Sequence, residues 1–168
     1  ISTVVMGWDA RSTAQRYIFH SISDQVLARS RQVMALARIV APLNTTQRLV
    51  AVVPQGAEAH PGFGAVTGLL WRLAGEMGAK VLIAAAAETA VELQRQAETG
   101  RRPVSADTLA LGPSSDIARA LRSAVGPGDA VAVCCVRPGR PGWQPRWDTL
   151  PAQLARDLAD HTLMAIYS

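Results

Sequence analysis

From Arg48 to Tyr167 the chain alternates two kinds of segment with little interruption. Short runs, most of them apolar throughout, such as Arg48 to Val53, Lys80 to Ala86, Val104 to Leu111, Ala130 to Val136 and Thr162 to Tyr167, read as strands. Between them lie stretches with apolar residues every three or four positions. Phe63, Val66, Leu70, Leu73 and Met77 form one such stripe. Glu88 to Glu98, stopped by Gly100, is a second helix; Ser114 caps a third that carries Ile117, Leu121 and Val125; Thr149 to Asp160 is a fourth. Strands without polar alternation must be covered on both faces, and strands separated by helices run parallel. The pattern therefore predicts an α/β fold, an open parallel sheet with helices on both faces.

The first residues extend the same logic. Ser2 to Gly7 reads as a strand. Ser12 or Thr13 caps a helix in which Phe19, Ile22 and Val26 share a face, and Gln32 to Val40 is a strand closed by Pro42. Together these predict a right-handed parallel crossover and about seven strands in all. The opening segment also echoes the closing one. "STVVMGW" followed by "ISDQVLARSRQVMALARI" matches "DAVAVCC" followed by "LPAQLARDLADHTLMAIYS" in order and spacing, with Met6 on Cys134 and Gln25 on Gln153, an offset of 128 residues. The closing strands need a shift of one more. The expected organisation is thus the terminal strand-helix-strand of a truncated first repeat (1–42), a linker (43–47) and a complete second repeat (48–168). A chain that opens in mid-strand on Ile1 is expected to be a fragment.

Composition removes several functions. The net charge of +4 is almost all arginine, Lys80 being the only lysine, and the arginines are scattered and not interleaved with aromatics, which argues against nucleic acid. Val81 to Ala87, the longest apolar run, is far short of the roughly 20 residues of a membrane span. Cys134 and Cys135 are adjacent in a strand, so they point to opposite faces and are poorly placed to share one ion. His20, His60 and His161 lack metal-ligand spacing, and neither a hydrolase elbow nor a P-loop is present. No catalytic or metal-ligating set emerges.

The strand-loop-helix "VVMGWDARSTAQRYIFHSISDQVLAR" has the form of a phosphate-binding turn. Here the chain resembles the universal stress protein family, whose five-stranded α/β domain carries a G-x2-G-x9-G-[S/T] loop near its end. The resemblance implies that phosphate is held by the loop's backbone amides and by a Ser or Thr hydroxyl. On this chain the motif falls on Gly7, Ala10, His20 and Ser21, so two of the three glycines are replaced. The implied nucleotide-binding set is Gly7, Ala10, Arg11, Ser12, Thr13 and Ser21, with ATP, AMP or cyclic di-AMP as ligands. In the second copy Gly139 and Gly142 keep G-x2-G, but Ala152 and Gln153 replace the final Gly-[S/T], and "VVPQG" lacks the acidic residue that the family commonly uses for adenosine. "WQPRW", with Trp143 and Trp147, fills this loop and is expected to pack over a sheet edge or a partner.

The segment from Asp129 to Ser168 also resembles the tandem stress-protein-like region at the cytoplasmic C-terminus of bacterial Na+/H+ antiporters of the monovalent cation:proton antiporter family. Gly142-Trp143, Leu150-Pro151, Leu154-Ala155 and Asp160 to Tyr167 carry that likeness. It implies a non-catalytic regulatory or dimerisation domain on the cytoplasmic side of the bacterial inner membrane, with an upstream transmembrane domain in the parent chain. It also implies a homodimer formed through the final strand, Leu163 to Tyr167. The alternatives are a stand-alone stress protein that binds ATP or AMP and a small nucleotide hydrolase.

Overall fold

A computed structural model describes residues 3–8, 30, 32–112 and 116–168. The strands are β1 (Thr3–Gly7), β2 (Val33–Arg38), β3 (Arg48–Val52), β4 (Lys80–Ala85), β5 (Ala106–Ala110), β6 (Asp129–Cys135) and β7 (Thr162–Tyr167). The helices are α1 (Phe63–Met77), α2 (Ala87–Thr99), α3 (Ile117–Ala124) and α4 (Leu150–Asp157). The seven strands of the described residues share one sheet in the order β1-β2-β7-β6-β3-β4-β5, parallel except where β2 meets β7. This is the open α/β architecture that the apolar strands require.

Alternate residues of each strand feed two cores. Leu49, Ala51 and Val53 pack with Val66, Leu70 and Ala74 of α1 and Leu93 of α2 on one face. Val50 and Val52 pack with Leu121 of α3 and Leu154 of α4 on the other. Leu70, Leu121 and Leu154 are fully buried, and truncating any of them to alanine costs about 2–5 kcal/mol. The end of α1 follows from Gly78, whose φ of 65° lets its amide reach the carbonyls of Ala74 and Gly75 while Ala79 donates to Ala74. The cap of α3 differs from the expectation. Asp116 fills that place, its carboxylate accepting the amide of Arg119 at 3.1 Å, while Ser114 lies outside the described residues.

The final strand, through which the resemblance implies a homodimer, is not an edge. β7 pairs with β6 on one side and, antiparallel, with β2 on the other. A second copy reaching β7 would have to displace β2. The outer strands are β1 and β5. Arg38 at the end of β2 locks the junction: its guanidinium donates to the carbonyls of Ala155 (2.6 Å), Leu158 (2.7 Å) and His161 (3.0 Å). Those groups lie at the C-terminal end of α4, where a cation is favoured. With Arg38 taking these carbonyls, α4 ends at Asp157, three residues earlier than expected.

The junction has an approximate two-fold symmetry. Each side is a parallel strand pair, β1–β2 and β6–β7, and the pairs meet antiparallel. Leu36 lies opposite Ala165, the residue that a shift of 129 assigns to it. Since Met6 pairs with Leu36 and Val133 with Ala165, Met6 corresponds to Val133 and not to Cys134. The faces agree, because Met6 and Val133 belong to one core while Cys134 belongs to the other. A slip of one residue in a strand reverses the face, so the echo read from sequence is corrected by one position.

Candidate functional site

Of the nucleotide-binding set, Gly7 alone lies within the described residues; Ala10, Arg11, Ser12, Thr13 and Ser21, with His20 and the helix expected around them, lie outside them. Gly7 ends β1, and a Cβ added there would meet nothing within 4 Å among the described residues. Its φ is not positive and no described residue crowds it, so neither backbone strain nor crowding among the described residues requires glycine at this position.

In an open α/β sheet the ligand crevice lies at the carboxyl ends of the strands where the connections reverse direction. Here that place is between β3 and β6, because β3 leads through α1 to β4 while α3 returns the chain to β6. Its two loops close on each other. A Cβ on Gly142 would stand 2.2 Å from the Gly56 carbonyl oxygen, and Gly142 has a φ of 86°. Gln144 donates to the Gln55 carbonyl at 3.2 Å. The Gly56 amide, which a phosphate would otherwise claim, donates to the Glu58 carboxylate at 3.0 Å. Gly142 of the G-x2-G remnant therefore serves a backbone contact between loops, which close over the crevice.

Beside this closed crevice, on the α1 face, lies an open cavity of about 820 Å³. Its polar lining comes from His60 ahead of α1, Gln32 ahead of β2, Arg137 and Arg140 after β6, and Ser168 after β7. Val33, Pro61, Ala65 and Pro141 make the rest largely apolar. Arg137 is 7% exposed, and its terminal nitrogens donate to the carbonyls of Ser30 and Gln32. Its Nε is buried with no hydrogen-bond acceptor among the described residues. Burial, then Arg140, draws the Arg137 guanidinium below its ordinary value. Neither arginine has a carboxylate partner among the described residues. His60 accepts the Gly62 amide on Nδ1 at 2.9 Å, which leaves the proton of the neutral ring on Nε2. Burial, then Arg140 and Arg137, hold this imidazole below 6.5, so it is neutral at pH 7.

Other chemically able groups are occupied structurally. Cys134 and Cys135 face opposite cores as expected, and burial pushes the Cys134 thiol up to about 12 and that of Cys135 higher still. Both are protonated and inert at neutral pH. Trp143 donates to Asp148 at 2.8 Å, and Trp147 packs against the second core with the Arg146 guanidinium 4.2 Å from its ring centroid. His161 meets the Gly126 carbonyl at 3.1 Å, in the turn after α3. No cluster of three or more metal-ligating side chains occurs among the described residues, and no described helix is long and apolar enough to cross a membrane.

Sequence reasoning passed over Arg137, Arg140 and His60. The available signal was "RPGRPGWQPR", a cationic loop directly after a fully buried parallel strand, with no carboxylate before Asp148. No protein-family model and no curated protein matches this chain.

Proposed function

We propose that the chain is a non-catalytic regulatory module made of two stress-protein-like halves, the first represented by its closing strands, and that it serves as the cytoplasmic domain of a bacterial Na+/H+ antiporter. The observation that carries this reading is the β2–β7 junction. There a short parallel unit meets its echo across an approximate two-fold, as two halves of one pairing module would. The resemblance implied pairing through the final strand; β2 supplies that pairing within the chain. The contact between the two loops over the β3–β6 crevice supports a non-catalytic role, since the backbone groups that could meet a substrate there are engaged with the chain itself.

Such a module acts by linkage. A ligand or partner that prefers one arrangement of the halves biases the attached transporter by the difference in its affinities. Two experiments test the reading. In the parent reading frame, roughly a dozen hydrophobic segments of about 20 residues are expected ahead of Ile1, and a short frame without them contradicts the antiporter assignment. Incubation of the purified protein with ATP is expected to release no product, and turnover abolished by a single substitution in this chain contradicts the non-catalytic assignment.

A further inference from the structure

The cavity beside α1 gathers Arg137, Arg140 and His60 without a carboxylate side chain among its described lining residues. Among the described residues the buried Arg137 guanidinium meets no carboxylate side chain, and a counter-charge favours a buried cation. Arg137 is held by two backbone carbonyls that orient its plane, and its Nε–H is left over. Arg140, three residues on, brings a second guanidinium to the same cavity. Paired planar donors suit the oxygens of a phosphate group. The volume of about 820 Å³ exceeds what a bare phosphate fills, and Val33, Pro61, Ala65 and Pro141 offer apolar surface to the remainder of a ligand.

From this arrangement we infer that the cavity is a binding site for a small phosphomonoester, whose phosphate group is held by Arg137 and Arg140 and whose organic part lies against the apolar wall. The site uses side-chain charge, unlike the backbone-amide loop expected around Gly7, and it does not depend on attachment to a transporter. If it fails, the proposed regulatory function stands; if the antiporter reading fails, this site is untouched.

Calorimetric titration at fixed ionic strength, with inorganic phosphate, phenyl phosphate and AMP as probes, tests the assignment. Saturable phosphate binding with a Kd on the order of 1 mM is expected, with phenyl phosphate several-fold tighter because it also covers the apolar wall. Arg140 is exposed, so Arg140→Gln leaves the fold intact and is expected to weaken both ligands about tenfold. Arg119→Gln, on the opposite face of the sheet, should change neither. Arg137→Met provides a second variant, expected to lose binding while retaining a native circular-dichroism spectrum. Absence of saturable phosphate binding overturns the assignment, as does equal weakening by Arg119→Gln or undiminished binding in Arg140→Gln. Binding of AMP without binding of either simpler phosphate also overturns it, because recognition would then rest on the base and not on this pair of arginines.

Discussion

The two ends of the sheet treat arginine in opposite ways. At the end where β3 and β6 begin and β2 finishes, charge is matched. Arg48 meets Asp129 at 2.5 Å and the Ala124 carbonyl at 2.7 Å, and Arg38 meets three carbonyls around the end of α4. At the end where β3, β6 and β7 finish, Arg137 is more deeply buried than Arg48, yet it has carbonyls and no carboxylate among the described residues. One end spends its cations on holding strands and helices together, while the other keeps a charge in reserve. Exposure alone does not separate a structural arginine from a candidate binding one; the partner does.

That contrast predicts unequal costs, the largest first. Arg48→Ala strands the Asp129 carboxylate, whose side chain is 6% exposed, and is expected to cost about 3 kcal/mol in urea unfolding. Arg137→Met removes a charge that has no carboxylate partner among the described residues and keeps most of the packing, so it should cost no more than about 1 kcal/mol. Equal costs would erase the distinction between the two ends. Gly142→Ala forces a methyl against the Gly56 carbonyl at a positive φ and should cost about 2–3 kcal/mol while opening the β3–β6 crevice; a neutral result would mean that the loops are not in contact. Arg38→Ala frees carbonyls at the end of α4 and should cost about 2 kcal/mol, with fluorescence and circular dichroism reporting one shared transition.

The smallest effect is one of pH. The folded state holds His60 below 6.5, so the unfolded chain binds its proton first. This group therefore costs nothing well above pH 6.5 and removes stability as the pH falls through 6.5. The stability difference between the wild-type protein and His60→Gln should shift toward the variant from pH 7.5 to pH 5.5, and a constant difference would contradict the cationic surroundings assigned to this ring.

Strand and helix positions were legible because a wholly apolar run such as Leu49 to Val53 and a stripe such as Phe63 to Met77 each allow one regular structure. Pairing between distant segments was less legible. The antiparallel ladder of β2 on β7 has no local signature, and the echo had to be corrected by one residue because two apolar strands align almost equally well in either register. The contact of Gly56 with Gly142 joins loops far apart in sequence, so the glycines suggested a phosphate turn when their surroundings demand a tight loop crossing. The cationic cavity was hidden for a related reason. Arg137 and Arg140 look like surface charges in a Pro/Gly loop until the strand ahead of them carries Arg137 under cover.

The central claim is that β2 fills the pairing edge of β7 within one chain. Amide hydrogen exchange followed over residues 33–38 and 162–167, at several protein concentrations, tests it most directly. Both strands are expected to exchange slowly, with protection that is the same at every concentration and lost together in Arg38→Ala. Rapid exchange over 33–38, with protection over 162–167 that rises with protein concentration, would mean that β7 pairs with a second molecule and would contradict the account.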